Sequence, residues 1–371
     1  MKLFVRILIG LSAVVVLAVA IGLGILLTPP PLELRTPFEG AQAPIDTRAG
    51  IYSDAEGIDW LVAPSLSVGL EAFPVSEWGR TLQGSSDEAL LDGLERLPVQ
   101  AFALREVSVD VPDHLAGWLF VPAGEARGGI VIIHGSGTSD RGNSWYVFLA
   151  ARLASAGYAV LLPDKRGSGR SDGDWRNAAL SQLAQDSAAW MDELRRQQPG
   201  IAFTGFLGVS QGGGIAPEAA HLAGSDFAVA LSSSAGPLRD ALRFEVGNDV
   251  KRSGAPRFLQ PVLTSLFSLR VERRHPGFWK LNADHDMLVE WAQWKGPLFV
   301  AMGRDDEAGS VAVTDTVNRI TALGPGVPVA VHVYDGTAHS LTGADHQFVP
   351  GLLPDLFAWL DGVRESTVSK P

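Results

Sequence analysis

From about residue 103 onward the chain alternates short, wholly apolar runs with longer segments of helical character, and this alternation restricts its possible folds more than any other feature. "GGIVIIHG" (128–135) leads through a helical stretch around "WYVFLAARLASAG" to "YAVLLPD" (158–164). The helix "LSQLAQDSAAWMDELRRQ" (180–197) then leads to "TGFLGVS", and "APEAAHLAG" leads to "FAVALSSSAG". Strands that are apolar at every position belong to parallel sheets covered on both faces. Strands alternating with helices predict an α/β fold, a doubly wound and mostly parallel sheet with right-handed crossovers. Just upstream, "REVSVDV" and "LAGWLFVP" alternate like a half-buried hairpin.

The rhythm breaks after Gly236 for about 60 residues and resumes with "PLFVAMG" (297–303), "VPVAVHVYDG" (327–336) and the closing helix "LLPDLFAWLDGV". That insertion exceeds an ordinary strand connection. Its helical spacing, as in "RFLQPVLTSLFSLRVERR", reads as a cap over the strand ends, where ligands bind in such sheets. The chain thus divides into residues 1–27, a tether and N-terminal extension at 28–100, a first core part at 101–236, the cap at 237–295 and a second core part at 296–371. Within the extension, "SSDEALLDGLERL" (85–97) predicts a helix with a serine cap and acids in its first turn.

At the N-terminus, Lys2 and Arg6 precede "ILIGLSAVVVLAVAIGLGILL" (7–27), which is 21 residues without a charge. A helix needs about 20 residues to cross roughly 30 Å of hydrocarbon. Positive charge before it places the short tail inside and the body outside. An uncleaved anchor competes with a signal peptide cut near "AVA" (18–20) and with a buried core helix; the first two put the body on the extracytoplasmic side of a membrane. "TPPPLELRTP" (28–37) follows as a stiff tether. A formal net charge of -11 argues against nucleic acid as partner. The lack of cysteine removes disulfides, thiolate catalysis and Cys-ligated metals.

"FLGVSQGGG" (206–214) holds Gly208-Val-Ser210-Gln-Gly212, a G-x-S-x-G with a strand before it and a helix-compatible segment after it. A tight strand-to-helix turn would lift the Ser210 hydroxyl above the sheet edge, near a helix N-terminus that favours negative charge. By itself the motif is equally a small-residue turn or phosphate loop. A nucleophilic serine needs a base, and the base an orienting acid, in the chain order Ser, acid, His. "VAMGRDDEAG" supplies Asp305 and Asp306 after one strand, and "VYDGTAHSL" supplies His339 after the next. The expected oxyanion donors are the backbone N–H of Gln211 and one from "HGSG" (134–137), with Ser136 first choice and Gly135 second. His134 precedes Ser210 in the chain, so it reads as a structural residue at a strand end rather than as the base.

"HGSGTSDRGN", "LLPDKRGSGRSDGDW", "GVSQGGGIAPEAA" and "YDGTAHSL" occur in the order of the matching blocks of the α/β-hydrolases. From about 103 to 362 the chain resembles the serine-esterase and serine-aminopeptidase group of that superfamily. The resemblance implies the α/β-hydrolase fold and a triad of Ser210, Asp306 and His339. Asp306 is preferred over Asp305 because it lies three residues past Gly303, as in related sequences. It also implies that Asp164 and Arg166 steady the loops beside the site. Val209 departs from the His or Tyr of most members, and Pro217 interrupts the helix after the elbow.

His275, His285 and His346 form no ligand spacing, so neither a metal nor a cofactor is expected. Trp279, Trp291 and Trp294 read as packing anchors, with an apolar acyl pocket as the alternative. The expected activity is hydrolysis of a small-molecule ester through an acyl-serine. Three alternatives stand beside it: an aminopeptidase or iminopeptidase using Glu245, Asp249, Glu272 or Glu290 to hold an ammonium, an acyltransferase, and an inactive hydrolase fold that binds at the membrane.

Overall fold

A computed structural model describes residues 50–64, 69–75, 80–97, 102–324 and 328–368, together with positions 22, 24, 28, 48 and 326. The apolar run at 7–27 and the tether therefore lie outside the described residues, apart from Gly22, Gly24 and Thr28. Among the described residues no helix is long and apolar enough to cross a membrane.

The N-terminal extension builds a small antiparallel sheet that its short apolar runs did not announce. Strands β1 (Gly50–Ser53), β2 (Asp59–Pro64) and β3 (Leu70–Pro74) are followed by helix α1 (Asp87–Leu91) and strand β4 (Glu95–Arg96), in the order β3-β2-β1-β4. Alternate residues serve two cores: Trp60 and Val62 pack with Tyr52 and Leu90, while Leu61 and Ala63 join the main core. The helix expected over 85–97 is thereby corrected to five residues. Ser86 caps it as expected, accepting from the Ala89 N–H at 3.2 Å. It ends where Asp92 turns extended and Gly93 takes φ +81°, and Arg96 then pairs with Tyr52 across β1. Strand pairing outweighs the helical propensity of the last residues.

The main sheet has eight strands. In chain order they are β5 (Phe102–Val111), β6 (Asp113–Pro122), β7 (Gly128–Ile133), β8 (Tyr158–Pro163), β9 (Thr204–Val209), β10 (Phe227–Leu231), β11 (Leu298–Gly303) and β12 (Val329–Tyr334). Spatially they run β12-β11-β10-β9-β7-β8-β6-β5. β5 and β6 form the expected hairpin and β6 runs antiparallel to β8, while the rest pair in parallel. Strands β7 to β11 are buried at every residue. Ile130, Ile132, Leu207 and Phe299 face one core, and Val131, Ile133, Phe206 and Val300 the other. Helices α2 (Ser144–Ser155) on one face and α3 (Leu180–Gln197) and α4 (Gln211–Leu222) on the other cover the sheet.

Between β10 and β11 the chain forms α5 (Leu238–Arg252), α6 (Gln260–Arg274), α7 (Pro276–Asn282) and α8 (Met287–Gln293). It leaves and returns at one place. The Leu238 N–H donates to the His285 carbonyl at 3.0 Å, and the Met287 N–H to that of Gly236 at 3.2 Å. Leu242, Val246 and Val250 of α5 pack against Leu263, Phe267 and Val271 of α6. Trp291 is fully buried in the core with residues of α4, and Trp294 joins the same core, as packing anchors do. Helices α9 (Val313–Ala322) and α10 (Leu352–Val368) complete the layers on either side.

Candidate active site

Ser210 stands alone between β9 and α4, with φ 54° and ψ −120°, a conformation that costs a non-glycine residue on the order of 1–3 kcal/mol. Its backbone N–H donates to the Leu231 carbonyl at 2.8 Å, tying the turn to β10. The flanking glycines are required by space. A Cβ on Gly208 would overlap the backbone of Gly212, and one on Gly212 would overlap the Ile133 carbonyl. The turn can close only with hydrogen at both positions.

Asp306 and His339 follow the ends of β11 and β12, two and three strands away from β9 along the same sheet edge. Asp306 is completely buried, whereas Asp305 is exposed and donates its N–H to the Thr337 carbonyl at 3.0 Å. His339 Nδ1 lies 2.7 Å from Asp306 Oδ2, so the ring donates there and keeps Nε2 as acceptor. The other carboxylate oxygen, Oδ1, accepts the Ser310 N–H at 2.8 Å. The His339 loop is held from two directions: Ser232 Oγ donates to the His339 carbonyl at 2.7 Å, and Trp145 Nε1 to that of Ser340 at 3.0 Å. Burial pulls the proton affinity of His339 down, but the hydrogen bond and charge of Asp306, with the charge of Glu245, raise it above the ordinary value.

Ser210 and His339 line one cavity of about 270 Å³, together with Ser136 and Gln211. Residues just beyond the strand ends, among them Ser136, Ser210, Ser232 and His339, line one side of it, and Leu242, Glu245, Phe278 and Trp279 of the insertion line the other. Of the three tryptophans singled out in the insertion, Trp279 alone lines this cavity. Gly135 donates its N–H to Tyr146 Oη at 2.8 Å, which occupies it. His134 is buried with Nε2 2.6 Å from the Pro163 carbonyl and Nδ1 2.9 Å from Ser139 Oγ. Burial holds its pKa down to about 4, so it is neutral and structural, as its place in the chain suggested.

The "DKRG" block buttresses the site. Asp164 accepts the N–H groups of Arg141 at 2.9 Å and Arg170 at 2.8 Å, and lies 3.2 Å from the Arg141 guanidinium as an ion pair. Arg166 pairs with Asp186 at 2.6 and 2.8 Å and with Asp113. The lysine between them was passed over in the sequence. Lys165 is buried, donating to the Gly135 carbonyl at 2.8 Å and to Gln211 Oε1 at 3.0 Å. Burial draws its ammonium down to about 7. A cationic residue inside an otherwise structural block was the available signal.

Of the four cap acids, Glu245 reaches the cavity, where its Oε1 accepts from Ser310 Oγ at 3.2 Å. Glu272 is engaged by Arg239 at 3.0 Å, Asp249 by Arg252, and Glu290 faces Glu218. No grouping of His, Asp and Glu among the described residues could hold a metal ion.

Residues 124–275 match the family model described as serine aminopeptidase, S33, a span that holds Ser210 but neither Asp306 nor His339. No curated protein matches the sequence significantly. Among solved structures, an esterase of Pyrococcus furiosus is 21% identical with a TM-score of 0.51, covering 79% of this chain and 97% of its own. A proline iminopeptidase of Mycobacterium smegmatis is 18% identical with a TM-score of 0.49, over 71% of this chain and 100% of its own. The strand order and the serine turn between β9 and α4 give the chain the α/β-hydrolase fold, and the matching family model covers residues 124–275 of it.

Proposed function

We propose that this α/β-hydrolase cleaves carboxylic ester-type bonds through an acyl-serine intermediate on Ser210. The observation that carries the reading is the 2.7 Å contact of His339 with the buried Asp306, in a cavity that also holds the strained Ser210. His339 Nε2 takes the hydroxyl proton as Ser210 Oγ attacks the carbonyl carbon. The carbonyl π pair moves onto oxygen, where the N–H groups of Ser136 and Gln211 receive the negative charge. The tetrahedral species collapses, the ester C–O bond breaks, and His339 returns its proton to the leaving alkoxide. Water then attacks the acyl-serine with His339 as base, releasing the acid and regenerating Ser210. Asp306 holds the Nδ1–H tautomer and stabilises the imidazolium throughout.

The test is hydrolysis of p-nitrophenyl acetate, butyrate and octanoate, with fluorophosphonate labelling, by wild type and Ser210→Ala. Turnover and labelling lost together with Ser210 support the reading. Wild-type turnover no higher than that of Ser210→Ala overturns it.

One observation favours a second reading. Glu245 is a carboxylate in the cavity wall, suited to a substrate ammonium, so an aminopeptidase would hydrolyse aminoacyl-anilides faster than acetate esters and lose that preference in Glu245→Gln. We place the catalytic body outside a membrane, tethered by the apolar run at 7–27. Detection of the chain in the soluble cytoplasmic fraction alone would refute that placement.

A further inference from the structure

Lys165 is a buried lysine whose two hydrogen bonds go to neutral acceptors rather than to a carboxylate. Burying an ammonium without a counter-charge is costly, and an apolar side chain would fill the same space more favourably. What this cation holds gives it a purpose. The Gly135 carbonyl and the Ser136 N–H belong to the same planar peptide unit, and the chain has no cis peptide among its described residues. In a trans unit the two groups point in opposite directions. Anchoring the Gly135 oxygen at 2.8 Å therefore fixes where the Ser136 N–H points, and drawing electron density toward that oxygen makes the N–H a stronger donor. The second bond, at 3.0 Å, holds the side chain of Gln211, the residue directly after the elbow serine. A single Nζ thus ties together the two residues assigned the oxyanion, which come from the ends of different strands, β7 and β9. The ring of Trp175, whose centroid lies 5.3 Å from the Nζ, helps hold the cation in place while also lining the cavity.

We propose that Lys165 is the positioning residue of the oxyanion hole, orienting and polarising the Gly135–Ser136 peptide and locking it to Gln211. The proposal rests on the reading of Ser210 as nucleophile and of Ser136 and Gln211 as oxyanion donors. It assigns Lys165 no contact with substrate.

The experiment compares wild type with Lys165→Met, Lys165→Gln and Lys165→Arg. It measures kcat and KM for a p-nitrophenyl ester, the affinity of a trifluoromethyl ketone, and the thermal unfolding midpoint. The ketone forms a hemiketal with Ser210 and places an oxyanion where the ester would. In Lys165→Met, kcat falls by about 10- to 100-fold, less than the loss expected when an oxyanion donor itself is removed, while KM stays within about threefold. Ketone affinity falls by the same factor as kcat/KM, and Lys165→Arg recovers part of both losses. A folded Lys165→Met with kcat within about twofold of wild type overturns the proposal, as does a kcat loss that leaves ketone affinity unchanged. If Lys165→Met does not fold, Lys165→Gln, which keeps an amide donor without the charge, decides on the same criteria. Ser210→Ala is run alongside. If it is as active as wild type, the hydrolase reading itself fails; if it is inactive while Lys165→Met turns over normally, only the role of the lysine fails.

Discussion

His339 is influenced by two carboxylates of unequal standing, one bonded to its ring and one across the cavity. Both favour the imidazolium, and the proposed base is the neutral ring, so kcat/KM should rise with pH as His339 loses its proton. Glu245→Gln removes one of the charges that raise this proton affinity. The acidic limb of the kcat/KM profile then moves to lower pH, and an unmoved limb would count against the coupling. Asp306→Asn removes the acceptor that fixes the tautomer and lowers kcat by up to about 10⁴-fold, while Asp305→Asn leaves it within about twofold. Steady-state turnover of p-nitrophenyl butyrate distinguishes the two. At this scale much was legible beforehand. Ser210 announces itself by its glycines and His339 by its place after a strand, because both signals are local. Choosing Asp306 over its neighbour leaned on resemblance, and the burial that separates the pair arises only when β11 and β12 lie side by side. Lys165 showed its charge locally but not its role, since its partners lie 30 and 46 residues away.

Elements bring their own constraints. The elbow closes only because Gly208 and Gly212 carry no Cβ, so Gly212→Ala forces the turn against the end of β7. We expect a loss of about 1–3 kcal/mol in urea unfolding and a far larger proportional loss of turnover, because the nucleophile is displaced. Helix α4 also meets α8, and there Glu218 faces Glu290. Burial, with the charge of Glu290, pushes Glu218 up to about 7, from 4.5 in an unperturbed chain. Its folded pKa is the higher one, so its contribution to stability is complete below about 4.5 and is lost as pH rises through 7. Glu218→Gln, neutral throughout, should therefore gain on wild type by about 1 kcal/mol at pH 8.5, after discounting for solvent around a half-exposed group, and not at pH 4. Denaturation midpoints at the two pH values check this. The inner strands were readable because burial on both faces writes itself into composition. The strands of the N-terminal sheet were not, since β1 and β4 have four and two residues and exist through their partners.

Across the whole molecule, the loops at one edge of the sheet carry the proposed reacting groups and the insertion supplies the wall facing them. On the proposed esterase reading, a cavity of about 270 Å³ with Leu242 and Trp279 in that wall would take acyl chains of short to middle length. Trp279→Ala removes the insertion's indole from the cavity wall. It should shift the preferred p-nitrophenyl ester toward octanoate while lowering turnover of acetate by less than about tenfold, as read from a chain-length series. An unchanged preference would mean that the acyl group lies elsewhere. The presence of a cap was legible as a gap in the strand rhythm, but its cavity-facing residues were not, because α5 and α6 each expose parts of several faces.

The insertion leaves at Gly236 and re-enters at Met287 through neighbouring backbone hydrogen bonds. Such an arrangement makes it an interchangeable part. A different excursion could be spliced across the same junction, longer or shorter, provided that it replaces the Asn248 bonds to the Glu307 and Gly309 carbonyls, which hold the Asp306 loop.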